Sequence, residues 1–295
     1  MKALRYIGLG LAALLLLAAL VLVWLLNSTT GAKWAARRAE SALAGRLAVG
    51  GVGGSLAGPL VLTDVRYADP ETGLEVRIAR ASVDVALRAL LGMRVRIEDV
   101  SARGVRVQLG ESAEEKPEEP QEPFSLEPPI DMILDGAAIE DAQILSADGS
   151  GPILVVNRAE LAGSWTSAAL TVRHFRLESP QGRAQFAGEV TGREVYVGSA
   201  NGEFDWRQGE SRYAGTLALR TEGRQAQVDV QLTAPMQARL TGTMEQTDTL
   251  PWSFELDVPR FDPRAELAPE SDIAVLAASL KGSGSRNSAT APGRL

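Results

Sequence analysis

Side chains that could carry out chemistry are scarce in this sequence of 295 residues. It contains no cysteine, which excludes a thiolate nucleophile, a disulfide framework and a cysteine metal site. The single histidine, His174, has no second histidine with which to share a metal ion. No spacing typical of zinc proteases, dinucleotide sites, phosphate loops or serine hydrolases occurs. We therefore expect no enzyme activity, no catalytic residue, no cofactor and no metal site.

Carboxylates are abundant, but their positions do not favour acid and base catalysis. Residues 111–129 hold seven glutamates and five prolines, a composition that buries too little apolar surface to fold and predicts a linker. A glycan-processing enzyme would need two carboxylates opposed across a groove. The remaining aspartates and glutamates are instead scattered along the polar side of strand-like stretches, which argues against that activity.

The formal net charge of -7 argues against nucleic acid as a partner. Affinity for phosphate backbones depends on clustered lysine and arginine. No basic stretch interleaved with aromatic residues occurs in the sequence. We expect no nucleic-acid binding.

A run without charge at residues 6–26 predicts a transmembrane anchor. As a helix it would be about 31 Å long, which matches the hydrocarbon core of a bilayer. It is longer than the apolar part of a cleaved signal peptide and lacks a typical cleavage site. Basic residues flank both ends, so charge orients the span poorly. We expect residues 1–5 in the cytoplasm, because short basic amino termini usually stay there.

Residues 31–44 predict a short amphipathic helix just after the membrane segment. Ser28 and the two threonines after it can cap its first turn, and Gly45 can close its last. Trp34 lies on a modest apolar face. Two interpretations stay open: the helix lies on the membrane surface, or it caps the domain that follows.

Residues 45–110 show the alternation of β-strands, with a short helical turn near 87–93. Val61 and Val65 are assigned to one face of the first long strand. Further along, the apolar residues change from even to odd positions near Ala79, which predicts a bulge or a turn there.

Residues 130–285 consist mostly of alternating stretches separated by turn signals. A short sequence pattern recurs every 27 residues, and its glycine lies at Gly188, Gly215 and Gly242. Such a repeat holds two strands of about ten residues and two turns, which predicts one hairpin per repeat. The predicted strands are 138–146, 153–162, 169–178, 183–190, 194–206, 211–220, 226–233, 237–245 and 252–258.

These patterns predict a mainly β protein in which the transmembrane helix precedes an elongated, repetitive and curved sheet. Aromatic residues make up only 5% of the chain, too few to fill the core of an ordinary sandwich easily. A sheet that curls around its own apolar face would form a hydrophobic groove suited to acyl chains. The candidate lining residues are Val61, Val65, Val83, Val85, Val105, Val107, Phe204, Val228, Val230, Phe254 and Leu256.

The order of these segments resembles the start of the TamB family, in the AsmA-like group. The likeness begins with the span and the helix TTGAKWAARRAESALAG, and continues through GPLVLTDVRY, the LL turn and IEDVSARGVRVQL. The linker and WSFELDVPRFDPRAEL extend it to the second half of the chain. These are scaffold patterns and not active-site signatures.

The resemblance implies a β-taco groove, anchored in the bacterial inner membrane by one span, with most of the chain in the periplasm. It implies a role in a translocation and assembly module that carries phospholipid to the outer membrane. The expected partners are inner-membrane lipid, acyl chains in the groove and, in the full-length form, an outer-membrane protein of the TamA type. An alternative is a scaffold that templates β-strands during assembly or secretion of outer-membrane proteins.

One departure from the family concerns length, because its members usually run to a thousand residues or more. Residues 286–295 are therefore expected to be the truncated end of a further repeat.

Overall fold

The computed structural model describes residues 26–110, 126–193, 195–261, 276–285, 288–290 and 293–294. These residues are mainly β-strand, as the sequence predicts. Their contacts divide the chain into two compact units. Unit 1 comprises Met1–Glu118 and Ala137–Leu154, and unit 2 comprises Glu119–Gly136 and Val155–Leu295.

The predicted transmembrane segment, residues 6–26, lies outside the described residues except for its last position. Among the residues that are described, no helix combines the length and the hydrophobicity needed to cross a bilayer.

Helix α1 (Thr29–Ala42) begins two residues before the predicted start. The hydroxyl of Ser28 accepts a hydrogen bond from the Gly31 amide at 3.1 Å and caps the first turn. The helix packs on the first strand, where the Glu40 carboxylate accepts a hydrogen bond from the Val49 amide at 2.7 Å. This contact satisfies a backbone donor of the strand and supports the capping interpretation. Trp34 nevertheless remains 59% exposed, which leaves a membrane-surface contact open.

The first four strands of unit 1 pair antiparallel in chain order. A 3₁₀ helix at Leu87–Gly92 lies where the sequence predicts a helical turn. The strands Asp131–Leu145 and Pro152–Trp165 each have residues in both units. The strand bounds are β1 Leu47–Gly54, β2 Leu60–Asp69, β3 Leu74–Val85, β4 Arg94–Gln108, β5 Asp131–Leu145 and β6 Pro152–Trp165.

Strands β4 and β5 are neighbours that run in the same direction, and a long connection joins them. Contacts between them keep a nearly constant sequence separation, whereas antiparallel strands would keep a constant sum of residue numbers. A parallel pair needs a crossover of a dozen or more residues, which the connection between β4 and β5 supplies. The contacts are Arg103 to Glu140, Gln108 to Ser146 and Leu109 to Leu145.

A crease crosses strands β1 to β4 at four opposed positions: Gly50, Asp64, Ala79 and Gly104. The ladder pairs on both sides keep one register, but these four positions are not paired. Asp64 and Gly104 have positive φ angles of 53° and 67°, a conformation that interrupts the regular alternation of a strand. The predicted change of parity at Ala79 is therefore confirmed, and it extends over four strands.

The crease separates Val61 from Val65, contrary to the sequence interpretation that they share a face. Val61 is opposed by Gly53 and Ser82, whereas its neighbour Leu62 is opposed by Val52 and Ala81. After the crease, Val65 is opposed by Val49 and Ile78. The left-handed Asp64 accounts for the difference, because regular alternation does not continue through such a residue.

Unit 2 is a meander in which each strand from β6 to β14 pairs antiparallel with the next. The strands lie close to the predicted ones, and β12 has the predicted bounds. The bounds are β7 Ala169–Ser179, β8 Gly182–Thr191, β9 Val197–Gln208, β10 Ser211–Glu222, β11 Gln225–Ala234, β12 Gln237–Glu245, β13 Trp252–Phe261, β14 Leu276–Ser285, β15 Ser288–Thr290 and β16 Gly293–Arg294. Strand β16 pairs with β14 and not with β15 in the described residues.

The 27-residue repeat corresponds to one hairpin, but it is not an exact structural repeat. Gly188 and Gly242 fall in the same row of cross-strand partners. Gly215 lies opposite Phe204, in a row four residues away along β10. The register of the strands is set by turn lengths and bulges, and the recurring sequence pattern does not specify these.

Candidate functional site

The strands of unit 2 place apolar residues and glycines on one face, which we call the apolar face of unit 2. Each row across the strands is built of directly opposed residues. The central row is Phe175, Phe186, Gly202, Leu217, Val230, Leu240, Leu256 and Leu280. The next row is Val172, Gly188, Ala200, Leu219, Val228, Gly242, Phe254 and Gly282.

This apolar face is only partly protected from water. Leu219, Met244 and Leu280 are 39%, 41% and 37% exposed. Within the described residues, no large side chain is fully buried, and the buried apolar residues are alanines and valines. A face of this kind is larger and more open than a core, and such surfaces mark binding sites.

Glycine on this face is required where neighbouring backbone comes close. A Cβ added to Gly215 would lie 2.4 Å from the Gln231 carbonyl oxygen and 3.2 Å from Cζ of Phe204. A Cβ added to Gly188 would lie 2.6 Å from the Ala200 Cβ. The repeated glycines therefore admit close strand approach and a ring opposite them.

The opposite face of unit 2 is polar and carries ion pairs between neighbouring strands. Arg212 Nε donates to Asp205 at 2.8 Å, and Arg239 Nε donates to Asp229 at 3.1 Å. The hydrogen bond from each arginine lowers the pKa of its aspartate below the usual range. These are exposed pairs, which stabilise a fold only slightly. Their main consequence is that the two faces differ sharply in polarity.

Unit 1 has its own apolar face, which continues through the crease because parity changes there. On one side its rows are Leu60, Val83 and Val100, then Val52, Leu62, Ala81 and Ala102. On the other side its rows are Val49, Val65, Ile78 and Val105, then Leu47, Tyr67, Val76 and Val107.

The polar face of unit 1 is rich in arginine. Arg66, Arg77 and Arg106 lie directly opposite one another on three neighbouring strands. Arg77 Nε also donates to the Glu75 carboxylate at 2.7 Å. Opposed like charges are unfavourable in a sheet, so this row belongs on a hydrated face and not in a lipid groove.

The register places the eleven candidate lining residues unevenly. Ten of them occupy apolar rows of their own unit, including Val83 and Val85 on one side of the crease and Val105 and Val107 on the other. Val61 is the exception and lies in the row of Gly53 and Ser82.

One end of unit 2 contains a cavity of about 810 Å³, which we call the end pocket. Strand ends contribute its apolar floor, and the loops after β8 and β12 contribute its sides. It is lined by Leu126, Val190, Val195, Tyr196, Leu219, Thr221, Arg224, Ala226, Met244, Gln246, Thr247, Asp248 and Leu250.

The loops beside the end pocket are joined by a side-chain amide. Gln246 Nε2 donates to the Tyr196 carbonyl at 2.7 Å, and its Oε1 accepts from the Tyr196 amide at 2.7 Å. The Gln246 amide also donates to the Arg224 carbonyl at 2.7 Å. These bonds connect loops that follow strands far apart in the meander.

Sequence reasoning missed the end pocket and its amide bridge. Gln246 and Tyr196 are 50 residues apart, and neither belongs to a recognisable motif. Leu126 gave a weak signal, as an apolar residue at the end of the proline and glutamate run. Its carbonyl accepts a hydrogen bond from Trp165 Nε1 at 2.5 Å, which holds it beside unit 2.

Groups suited to metal binding do not assemble within the part of the chain that the structure describes. His174 is exposed and lies opposite Ala162, at a bulge between β6 and β7.

Comparison with known proteins agrees with the sequence resemblance. Residues 17–150 match the family model described as TamB, N-terminal domain. A search of curated proteins and a search of solved structures each gave no match. The matched range includes helix α1, strands β1 to β5 and the crease of unit 1. Residues 17–150 are thus similar to a TamB N-terminal domain.

Proposed function

We propose that the apolar faces of the two units bind phospholipid acyl chains and convey them towards the outer membrane. The observation that carries the proposal is the apolar face of unit 2, where Leu219 and Leu280 remain more than a third exposed. Each methylene group moved from water to an apolar surface gains roughly 0.8 kcal/mol. An acyl chain on this face would protect both its own surface and that of the protein.

The family match supports the cellular setting of the proposal. We propose that the chain acts in a translocation and assembly module, with an inner-membrane anchor and a periplasmic body, and the match of residues 17–150 to the TamB N-terminal domain model supports this setting. The full-length form would meet an outer-membrane protein of the TamA type. The curved, taco-like groove belongs to the same proposal, and the close strand approach at glycines of the apolar face supports it.

Native mass spectrometry of the full chain after mild extraction tests the proposal. We expect the unaltered protein to retain phospholipid. Val230→Asp should lose most of it, because a carboxylate would be placed in the central apolar row. Gln231→Asp is the matched control, since it introduces the same charge at the adjacent position on the polar face.

Two results would contradict acyl-chain binding. One is an unaltered protein that carries no lipid, and the other is equal retention by the two charged variants. Crosslinks from strand edges to unfolded outer-membrane proteins, with no bound lipid, would support strand templating instead.

A further inference from the structure

The end pocket differs from the rest of the apolar face because it has walls. Its floor includes Val190, Ala226 and Met244 at the ends of β8, β11 and β12, and Ala226 lies directly opposite Met244. Leu126 and Leu250 line it from outside the strands. A volume of about 810 Å³ is within the usual range for sites that enclose small ligands.

The amide bridge keeps the walls of the pocket in place. The side-chain amide of Gln246 bonds to the Tyr196 backbone as a neighbouring strand would, because it donates to the Tyr196 carbonyl and accepts from the Tyr196 amide. On the adjoining side, Trp165 holds the carbonyl of Leu126, and Arg193 forms an ion pair with Glu127. A preformed site loses less conformational entropy when it binds than a mobile loop does.

The pocket also carries two opposite charges that are available to a ligand. Arg224 and Asp248 line it, and both side chains are exposed. Within the residues described by the structure, neither side chain makes an ion pair or a hydrogen bond. The other polar groups are engaged: Thr221 bonds to the Gly198 carbonyl, Gln246 to Tyr196, and Thr247 to Thr249.

We propose that the end pocket is a discrete binding site for one zwitterionic phospholipid. An acyl chain lies on the apolar floor, while Arg224 binds the phosphate and Asp248 binds the ammonium group of a phosphoethanolamine headgroup. An arginine suits phosphate because it offers several donors in one plane, and a carboxylate suits an ammonium cation. This inference rests on the proposed function and assigns a fixed position and a headgroup class to it.

The test offers the full chain vesicles of phosphatidylethanolamine and phosphatidylglycerol in equal amounts, followed by native mass spectrometry of the recovered protein. We expect retention of phosphatidylethanolamine to exceed that of phosphatidylglycerol several-fold. Arg224→Gln should lower the retention of both lipids by about tenfold, as loss of one charge-assisted contact predicts. Asp248→Asn should lower only that of phosphatidylethanolamine.

Matched controls separate the site from general effects of charge. Arg220→Gln removes an exposed arginine from the polar face of β10, and Asp257→Asn removes a carboxylate from the polar face of β13. We expect neither to change headgroup preference. Met244→Asp should abolish binding in the pocket, whereas Thr243→Asp on the opposite face should not.

The variants also distinguish this site from the general lipid function. Glycerophosphoethanolamine, which has the headgroup without acyl chains, should not displace the bound lipid, because the apolar floor supplies most of the affinity. Displacement by it would overturn the pocket as an acyl site. Retained lipid without headgroup preference, unaffected by Arg224→Gln and Met244→Asp, would overturn the site while leaving the proposed function intact. Absence of lipid in the unaltered protein would overturn both.

Discussion

At the residue scale, the positions of glycine on the apolar face are determined by the space that neighbouring strands leave. Gly215 is opposed by Phe204 on one side and Leu232 on the other. The structure gives a specific reason for the missing side chain at this position of the repeat. The Gln231 carbonyl oxygen occupies the place of a Cβ.

Gly215→Val is expected to destabilise the fold by about 1–3 kcal/mol, the usual effect of overpacking. Thermal unfolding of the full chain measures it. Thr216→Val inserts a side chain of the same shape on the polar face and should change stability by no more than about 0.5 kcal/mol. Equal effects of the two substitutions would show that the close approach at Gly215 is unimportant.

Carboxylates on the polar face give the protein a specific acid sensitivity. Arg239 donates to Asp229, and Gln231 Nε2 donates to the same carboxylate at 3.2 Å. The hydrogen bond from Arg239, and then that from Gln231, lower the pKa of Asp229 in the folded state. The resulting stabilisation is present above the unfolded pKa of about 4 and is lost as the pH falls through the folded value.

Asp229→Asn is therefore expected to lower the melting temperature slightly at pH 7, with a difference that closes as the pH falls below about 4. Melting curves at a series of pH values measure this difference. Arg239→Gln should produce little further change in the Asp229→Asn background, because the two side chains form one pair. A gap that persists unchanged at pH 2 would contradict the assignment.

At the scale of elements, the crease of unit 1 explains how four strands keep one apolar face while their sequences change parity. Asp64 and Gly104 take up the left-handed conformation, and Ala79 lies opposite both positions in the maintained register. A Cβ added to Gly104 would lie 2.9 Å from the Ala79 Cβ. Conformation and space therefore both favour glycine at that position.

Gly104→Ala is expected to destabilise the protein by roughly 1–2 kcal/mol, the cost of a left-handed residue with a Cβ. Asp64→Gly relaxes the same conformation on β2 and should leave stability within about 0.5 kcal/mol. Chemical denaturation compares the two variants. A greater loss for Asp64→Gly than for Gly104→Ala would contradict this account of the crease.

At the scale of the whole molecule, lipid binding would couple to folding. The apolar faces are partly exposed, whereas an enclosed core is not. A ligand that covers these faces binds the folded chain and not the unfolded one, and it therefore stabilises the fold. The effect grows with the logarithm of the ligand concentration relative to its dissociation constant.

Removal of bound lipid is expected to lower the melting temperature of the full chain, and phosphatidylethanolamine should restore it. A ligand present at 100 times its dissociation constant adds about 2.7 kcal/mol, which corresponds to several degrees for a chain of this size. Differential scanning fluorimetry with and without added lipid measures the shift. The Val230→Asp variant should show little restoration, and an equal response would count against binding on the apolar face.

Much of the strand pattern was predictable from sequence because alternation is a local property. Strand β12 has the predicted bounds, and the parity change at Ala79 is present. Ten of the eleven candidate lining residues lie in apolar rows. Val61 does not, because one left-handed residue after it interrupts the alternation, and a sequence does not display φ angles directly.

The sequence by itself determined the class of the fold, the lack of cysteine and of a second histidine, and the similarity of residues 17–150 to a TamB N-terminal domain. These depend on composition, periodicity and order, which adjacent residues specify. Only the tertiary structure decided which glycines face a neighbouring backbone, how the crease preserves an apolar face, and where Gln246 joins two loops around a pocket. Those features depend on register, and register is set by turns, bulges and pairings between residues far apart in the chain.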